Sequence, residues 1–130
     1  AKSIVAGHRG RKEPVPGLGH PIHKPIDPRV PKLFEIAAAS GFSGRYVSLM
    51  EAVAREASSA YQRDLPINAT GAIGAILCEL ELPWRVARGV AVMARAIGLV
   101  AHLQEELAQP LAHEIWMRVE DETSEHNRGQ

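Results

Sequence analysis

The chain has 130 residues, 45% of them hydrophobic, and its 15 lysines and arginines balance 15 aspartates and glutamates. That is enough for one domain with a real core, and the zero formal charge excludes a protein held to nucleic acid by a global basic field. A single cysteine, Cys78, excludes a disulfide framework and points to a reducing compartment, so with no charged-then-apolar leader at the start a cytoplasmic protein is expected.

In chain order, His8-Arg-Gly-Arg-Lys12 comes first, a basic cluster that reads as a solvated surface turn or as a contact with a phosphate-bearing ligand. Val15 to Arg29 (VPGLGHPIHKPIDPR) follows. Its prolines fix φ and remove donors, while its glycines admit close backbone approach, so it predicts a stiff, ordered loop rather than a helix or strand. Ordered loops on a rigid scaffold are where binding groups concentrate. His20, His23 and Asp27 could in principle ligate a metal, but Pro21 forbids the helical spacing such sites commonly use, and no metal is expected.

Val30 to Ala39 predicts a short helix opened by Pro31 and closed by the Gly41 to Gly44 turn. Ser48-Leu-Met-Glu51 fits a capping box. The helix expected after it buries Leu49, Met50, Val53, Ala57, Ala60 and Tyr61, which recur at spacings of three and four. Leu65 to Gly71 breaks the pattern, Thr70 is a candidate N-cap, and Ala72 to Leu80 predicts the next helix. Asn68-Ala-Thr70 matches a glycosylation sequon by pattern alone. A long helix is expected from Trp84 to Leu107, stopped by Pro110, and the polar tail from Glu120 to Gln130 reads as frayed. With no β-alternation and no internal repeat, the fold class is all-α.

The long helix is apolar on nearly every face between Gly89 and Ala101, a stretch too short to span a bilayer once Arg95 interrupts it. Such a helix has to be enclosed by protein, and Arg95 goes in with it. A buried guanidinium requires a carboxylate or phosphate for its planar fork. Either Glu105, Asp64 or another acid supplies that anion from within the chain, or a ligand does. Arg88, Arg95 and His102 share one face, since two helical turns drift by only about 20° per heptad. Too few helices remain to cover this one, so a second copy or a companion chain is expected.

Pro16-Gly-Leu-Gly-His20, Asp27-Pro-Arg29, Leu65-Pro-Ile-Asn-Ala-Thr-Gly71 and Met93-Ala-Arg-Ala-Ile-Gly98 with Ala101-His102 closely resemble, in order and with fitting gaps, the C-terminal portion of the citrate synthase family, and its citryl-CoA lyase branch best. The resemblance covers residues 1–122, leaving 123–130 as a polar tail. It implies a helical small domain plus C-terminal helices of a large domain, at least dimeric, with no nucleic acid or membrane as partner. It also implies an enzyme that makes or breaks a carbon–carbon bond between acetyl-CoA and oxaloacetate, acting on citrate or citryl-CoA in the lyase direction. By the same resemblance His20 donates to the oxaloacetate carbonyl, Arg29 and Arg95 clamp carboxylates, and Gly17, Leu18, Gly19 and Lys24 contact coenzyme A. Thr70 stands where the family places its aspartate base, in a segment usually written Asn-x-Asp-Gly. A threonine hydroxyl cannot take a carbon-bound proton at neutral pH without another base. The family's second catalytic histidine belongs upstream of Ala1. Two alternatives therefore stand beside the enzyme: a noncatalytic module that binds CoA and dicarboxylates, and a bare dimerisation fragment.

Overall fold

A computed structural model of the protein describes residues 1–124. Among these residues six α-helices follow in order: α1 (Lys2–Gly10), α2 (Arg29–Ala39), α3 (Arg45–Tyr61), α4 (Ala69–Glu79), α5 (Ala87–Ala108) and α6 (Ala112–Ser124). Among the described residues there is no strand, only an isolated antiparallel bridge between Leu18 and Ile67. The all-α class expected from the sequence holds. The chain divides into two compact units, Ala1–Ala87 and the residues from Arg88 onward.

In the first unit α3 is the central element, packing against α1 and α4, while α2 packs on α4. Its core joins Val5 of α1, Val15 of the loop, and Val53 and Ala57 of α3, with Leu18, Tyr61 and Leu65 packed around them. Val53 and Ala57 lie at helical spacing on α3, so the stripe read from the sequence meets its partners here. Leu49 is the exception and stays exposed. The segment from His8 to Gly10 ends α1 rather than forming a free turn.

Two expected caps are corrected. α3 starts at Arg45 with Gly44 as its N-cap, a turn before the Ser48–Glu51 box, and the Ser48 hydroxyl instead donates back to the Gly44 carbonyl at 2.9 Å. The orphan N–H groups are met from far along the chain: the Glu79 carboxylate accepts from Gly44 (3.0 Å), Tyr46 (2.7 Å) and Val47 (3.0 Å). Those three donors hold its carboxyl below the usual glutamate range, the Val47 N–H first among them. Likewise α4 starts at Ala69 and is capped by Asn68, whose side chain accepts from Gly71 N–H at 3.1 Å, so Thr70 is not the cap.

In the second unit, α5 ends just before Pro110 and α6 follows at once, a helix the sequence reading did not expect and whose last turn overlaps the tail expected from Glu120. Glu106 reaches over the break and accepts from Leu111 and Ala112 N–H at 3.0–3.1 Å, which caps α6 and lowers its own pKa. Glu120 to Ser124 is therefore helical, and residues 125–130 of the expected tail lie outside the described residues.

No residue of α5 is buried within this single chain. Ile97 is 72% and Leu107 86% exposed, and Arg95, expected among aliphatic side chains, is exposed with them. Glu105 does not neutralise it; that carboxylate lies 3.3 Å from His102. The helical stretch Trp84–Ala108 matches the expected Trp84 to Leu107, but the expectation that it is too short to span a bilayer is corrected: its 25 residues, with a mean hydropathy of 1.5 in the most apolar window, are long and apolar enough to cross a membrane by length and composition.

Candidate functional site

The loop from Val15 to Arg29 is held to the start of α4 by its backbone. Asn68 N–H donates to the Gly17 carbonyl (3.0 Å), Gly19 N–H donates to Pro66 (2.7 Å), and the Asn68 side-chain amide donates to Gly19 (2.9 Å). Gly17 and Gly19 take φ of +83° and +75°, a region that side chains with a Cβ avoid. Gly17 also lies against Gly71 so closely that a Cβ on it would come 2.7 Å from the Gly71 Cα, and a Cβ on Gly71 would collide with the Gly17 carbonyl. Two glycines 54 positions apart, from 17 to 71, thus permit one contact.

This contact fixes the origin from which His20 projects. The His20 Nδ1 accepts from the backbone N–H groups of Ile22 (3.1 Å) and His23 (3.0 Å). An acceptor facing two donors carries no hydrogen, so the ring proton sits on Nε2, which is left as an oriented donor. His23 stacks on this ring with centroids 4.4 Å apart, a packing role that further limits rotation.

Asp27 is fully buried and carries more of the architecture than its place in the motif reveals. Its carboxylate accepts from Arg29 N–H (3.1 Å), Arg29 Nε (2.9 Å), Arg29 Nη2 (2.7 Å) and Ala69 N–H (3.0 Å). The Arg29 guanidinium, then the backbone donors, hold the carboxyl far below the usual aspartate range against the opposing effect of burial. One Asp therefore ties the end of the loop to the first turn of α4 and orients Arg29. The pairing uses one edge of the guanidinium; the outer edge of Arg29, whose side chain is 53% exposed, keeps free N–H donors for a ligand. With its oxygens so engaged, Asp27 is not available as a metal ligand beside His20 and His23.

Leu18, Gly19, His20 and Lys24 line one open cavity of about 350 Å³ in the first unit, with Val15 and Leu65 in its wall. A mostly apolar cavity with a few oriented polar groups has the character of a small-molecule site. Gly17 and Arg29 do not line it. Thr70 is exposed in the first turn of α4, next to the residues that Asp27 and Asn68 anchor. Arg95 belongs to the second unit. Asn68 and Asp27 are the organising residues that sequence reasoning undervalued. Their signal was the Asn two residues before Thr70 and the Asp two before Arg29, both at helix starts, where side-chain acceptors cap.

The family model described as citrate synthase, C-terminal domain, matches residues 1–118. No curated protein matches the chain. Among solved structures, citryl-CoA lyase from Hydrogenobacter thermophilus superposes with a TM-score of 0.74 at 38% identity, over 83% of this chain and 42% of that one, so the chain spans less than half the length of that enzyme. With the Gly-x-Gly-His loop, the Asp-Pro-Arg corner and the Asn-capped helix in the arrangement described above, the chain belongs to the citrate synthase family and carries that family's C-terminal domain.

Proposed function

We propose that this chain supplies the oxaloacetate-facing and part of the CoA-facing surface of an enzyme of citryl-CoA lyase or citrate synthase type. The observation that carries the reading is the His20 ring, whose Nδ1 accepts two backbone N–H groups and whose Nε2 is therefore a fixed donor. In the lyase direction the hydroxyl of citryl-CoA passes its proton to solvent, the adjacent carbon–carbon bond breaks as oxaloacetate's carbonyl forms, and the departing enolate of acetyl-CoA takes a proton back from solvent at carbon. The oxygen of that hydroxyl carries developing negative charge, and a preorganised donor aimed at it lowers the barrier. In the synthetic direction the same donor polarises the ketone. Arg29 and Arg95 serve as carboxylate clamps in this reading, and Gly17, Leu18, Gly19 and Lys24 receive the acyl-CoA.

A partner surface completes the proposal. Arg95 lies near the middle of the apolar stretch Trp84–Ala108, where lipid would cost about 2.5–3.5 kcal/mol for one arginine. A protein surround bearing an anion, from a second copy or a companion chain in the cytoplasm, suits that helix better than a bilayer. The test is oxaloacetate release from citryl-CoA by the longest native polypeptide that carries this chain; turnover above background is expected, and none would discard the enzyme reading.

Thr70 favours a second reading, a module that binds CoA and dicarboxylates without turning them over. Its hydroxyl has no base beside it among the hydrogen bonds of the described residues. Exchange of acetyl-CoA methyl protons with deuterium oxide separates the two. We expect Thr70→Asp to raise that exchange at least about tenfold, below the roughly 10²–10⁴-fold that a fully positioned general base contributes. Exchange that Thr70→Asp leaves unchanged would remove position 70 from proton transfer.

A further inference from the structure

One side chain joins the residue before His20 to the residue after Thr70. The Asn68 amide donates through Nδ2 to the Gly19 carbonyl at 2.9 Å and accepts through Oδ1 from Gly71 N–H at 3.1 Å. Its orientation is forced, because a backbone carbonyl only accepts and a backbone N–H only donates. At the first end the bond falls on a hinge. The Gly19 carbonyl lies in the same peptide plane as His20 N–H, and Gly19, with φ of +75°, is the residue type with the greatest freedom to rotate. Pro66 holds the plane before Gly19 by accepting from its N–H at 2.7 Å, and the Asn68 amide holds the plane after it. At the second end, Gly71 N–H belongs to the peptide whose carbonyl is that of Thr70. A single amide thus pins the peptide that delivers His20 and the peptide that leaves position 70.

Helix capping alone does not require this residue, since aspartate and serine cap about as well as asparagine. Aspartate at this position would set a carboxylate oxygen against the Gly19 carbonyl, and the single short hydroxyl of serine cannot reach both ends. We infer that Asn68 is a positioning residue that keeps the His20 donor in register with position 70, and that its amide N–H, rather than its capping oxygen, carries this role. The inference rests on the lyase or synthase reading and adds to it a residue that acts only through His20 and α4. Aim is worth much here, because a displacement of about 1 Å at a reacting group costs on the order of 10²-fold in rate.

The test measures citryl-CoA cleavage by the longest native polypeptide carrying this chain, with Asn68→Asp and Asn68→Ser beside wild type. Both variants keep an oxygen for Gly71 N–H and lose the donor to Gly19, so the thermal midpoint should hold; should one of them lower it, the other reads the effect. We expect kcat to fall about 10–100-fold while KM stays within about threefold, the pattern of lost aim with binding retained. The ¹⁵N resonances of the His20 ring should still place the proton on Nε2, because Ile22 and His23 set it from within the loop. Wild-type kcat in the variants would overturn the inference. So would a fall in kcat that comes in both variants with a lowered midpoint or a moved ring proton, which assigns the loss to unfolding or to His20 itself. Either result leaves the enzyme reading in place as long as wild type turns over; a wild type without turnover would overturn both.

Discussion

Asp27 is the residue on which the geometry of the site depends most. Four donors converge on a carboxylate with no solvent contact, so its removal leaves the Ala69 and Arg29 backbone N–H groups unsatisfied and Arg29 without its anchor. Asp27→Ala should destabilise the fold by about 2–4 kcal/mol, toward the lower end of the range for a broken buried pair because Arg29 itself reaches solvent. Chemical denaturation measures this directly. The pH dependence has a defined sign. Because the folded pKa is depressed, the stabilisation is fully present above the unfolded value of about 3.9 and is lost as pH falls from there. Wild-type stability should decline below about pH 4 more steeply than that of Asp27→Ala. Gly71 makes a second prediction at this scale. Gly71→Ala drives a Cβ into the Gly17 carbonyl, and should cost about 1–3 kcal/mol as overpacking does, with ligand affinity falling alongside because the His20 loop is displaced. An alanine variant of wild-type stability and affinity would show that the loop is not held by this contact.

At the level of elements, four of the six helices among the described residues were legible, α1 and α6 were not, and the starts of α3 and α4 were misplaced. The stripe through Val53 and Ala57 and the punctuation at Gly41, Pro83 and Pro110 located four helices from periodicity and breakers alone. The capping box at Ser48 failed because the real cap is Glu79, 35 residues from Gly44, and no local window contains it. α6 was missed for a related reason: its first N–H groups are served by Glu106 from the preceding helix, so the start carries no Ser, Thr, Asp or Asn signal. Glu79→Gln should lower the thermal midpoint of the first unit and fray the start of α3, because a neutral amide accepts more weakly from the three N–H groups at a helix N-terminus. Hydrogen exchange at Tyr46 and Val47 reads this out; unchanged protection there would assign the cap to other groups. In the site itself the Gly-x-Gly-His and Asp-Pro-Arg runs were visible as motifs, whereas the Asn68 and Asp27 bonds that join them to α4 depend on long-range contacts.

For the whole molecule, the first unit has its own core and a built site, while α5 has no buried residue in this chain. A helix with Ile97 and Leu107 largely exposed is stable only when another surface covers it. Covering it is also what would give Arg95 the low-dielectric surroundings in which a carboxylate clamp is strong. The fold class followed from the sequence because periodicity is local; the burial expected of Arg95 is not met within this chain, where no residue of α5 is buried. The central claim is that His20 presents a fixed Nε2 donor to the oxygen on which charge develops. It is tested most directly by the ¹³C resonance of oxaloacetate labelled at its keto carbon, bound to the longest native polypeptide carrying this chain. We predict a downfield displacement on binding, reporting a polarised carbonyl, that disappears in His20→Ala while the ligand still binds. A bound resonance at the position of free oxaloacetate, or one displaced equally in both proteins, would contradict it.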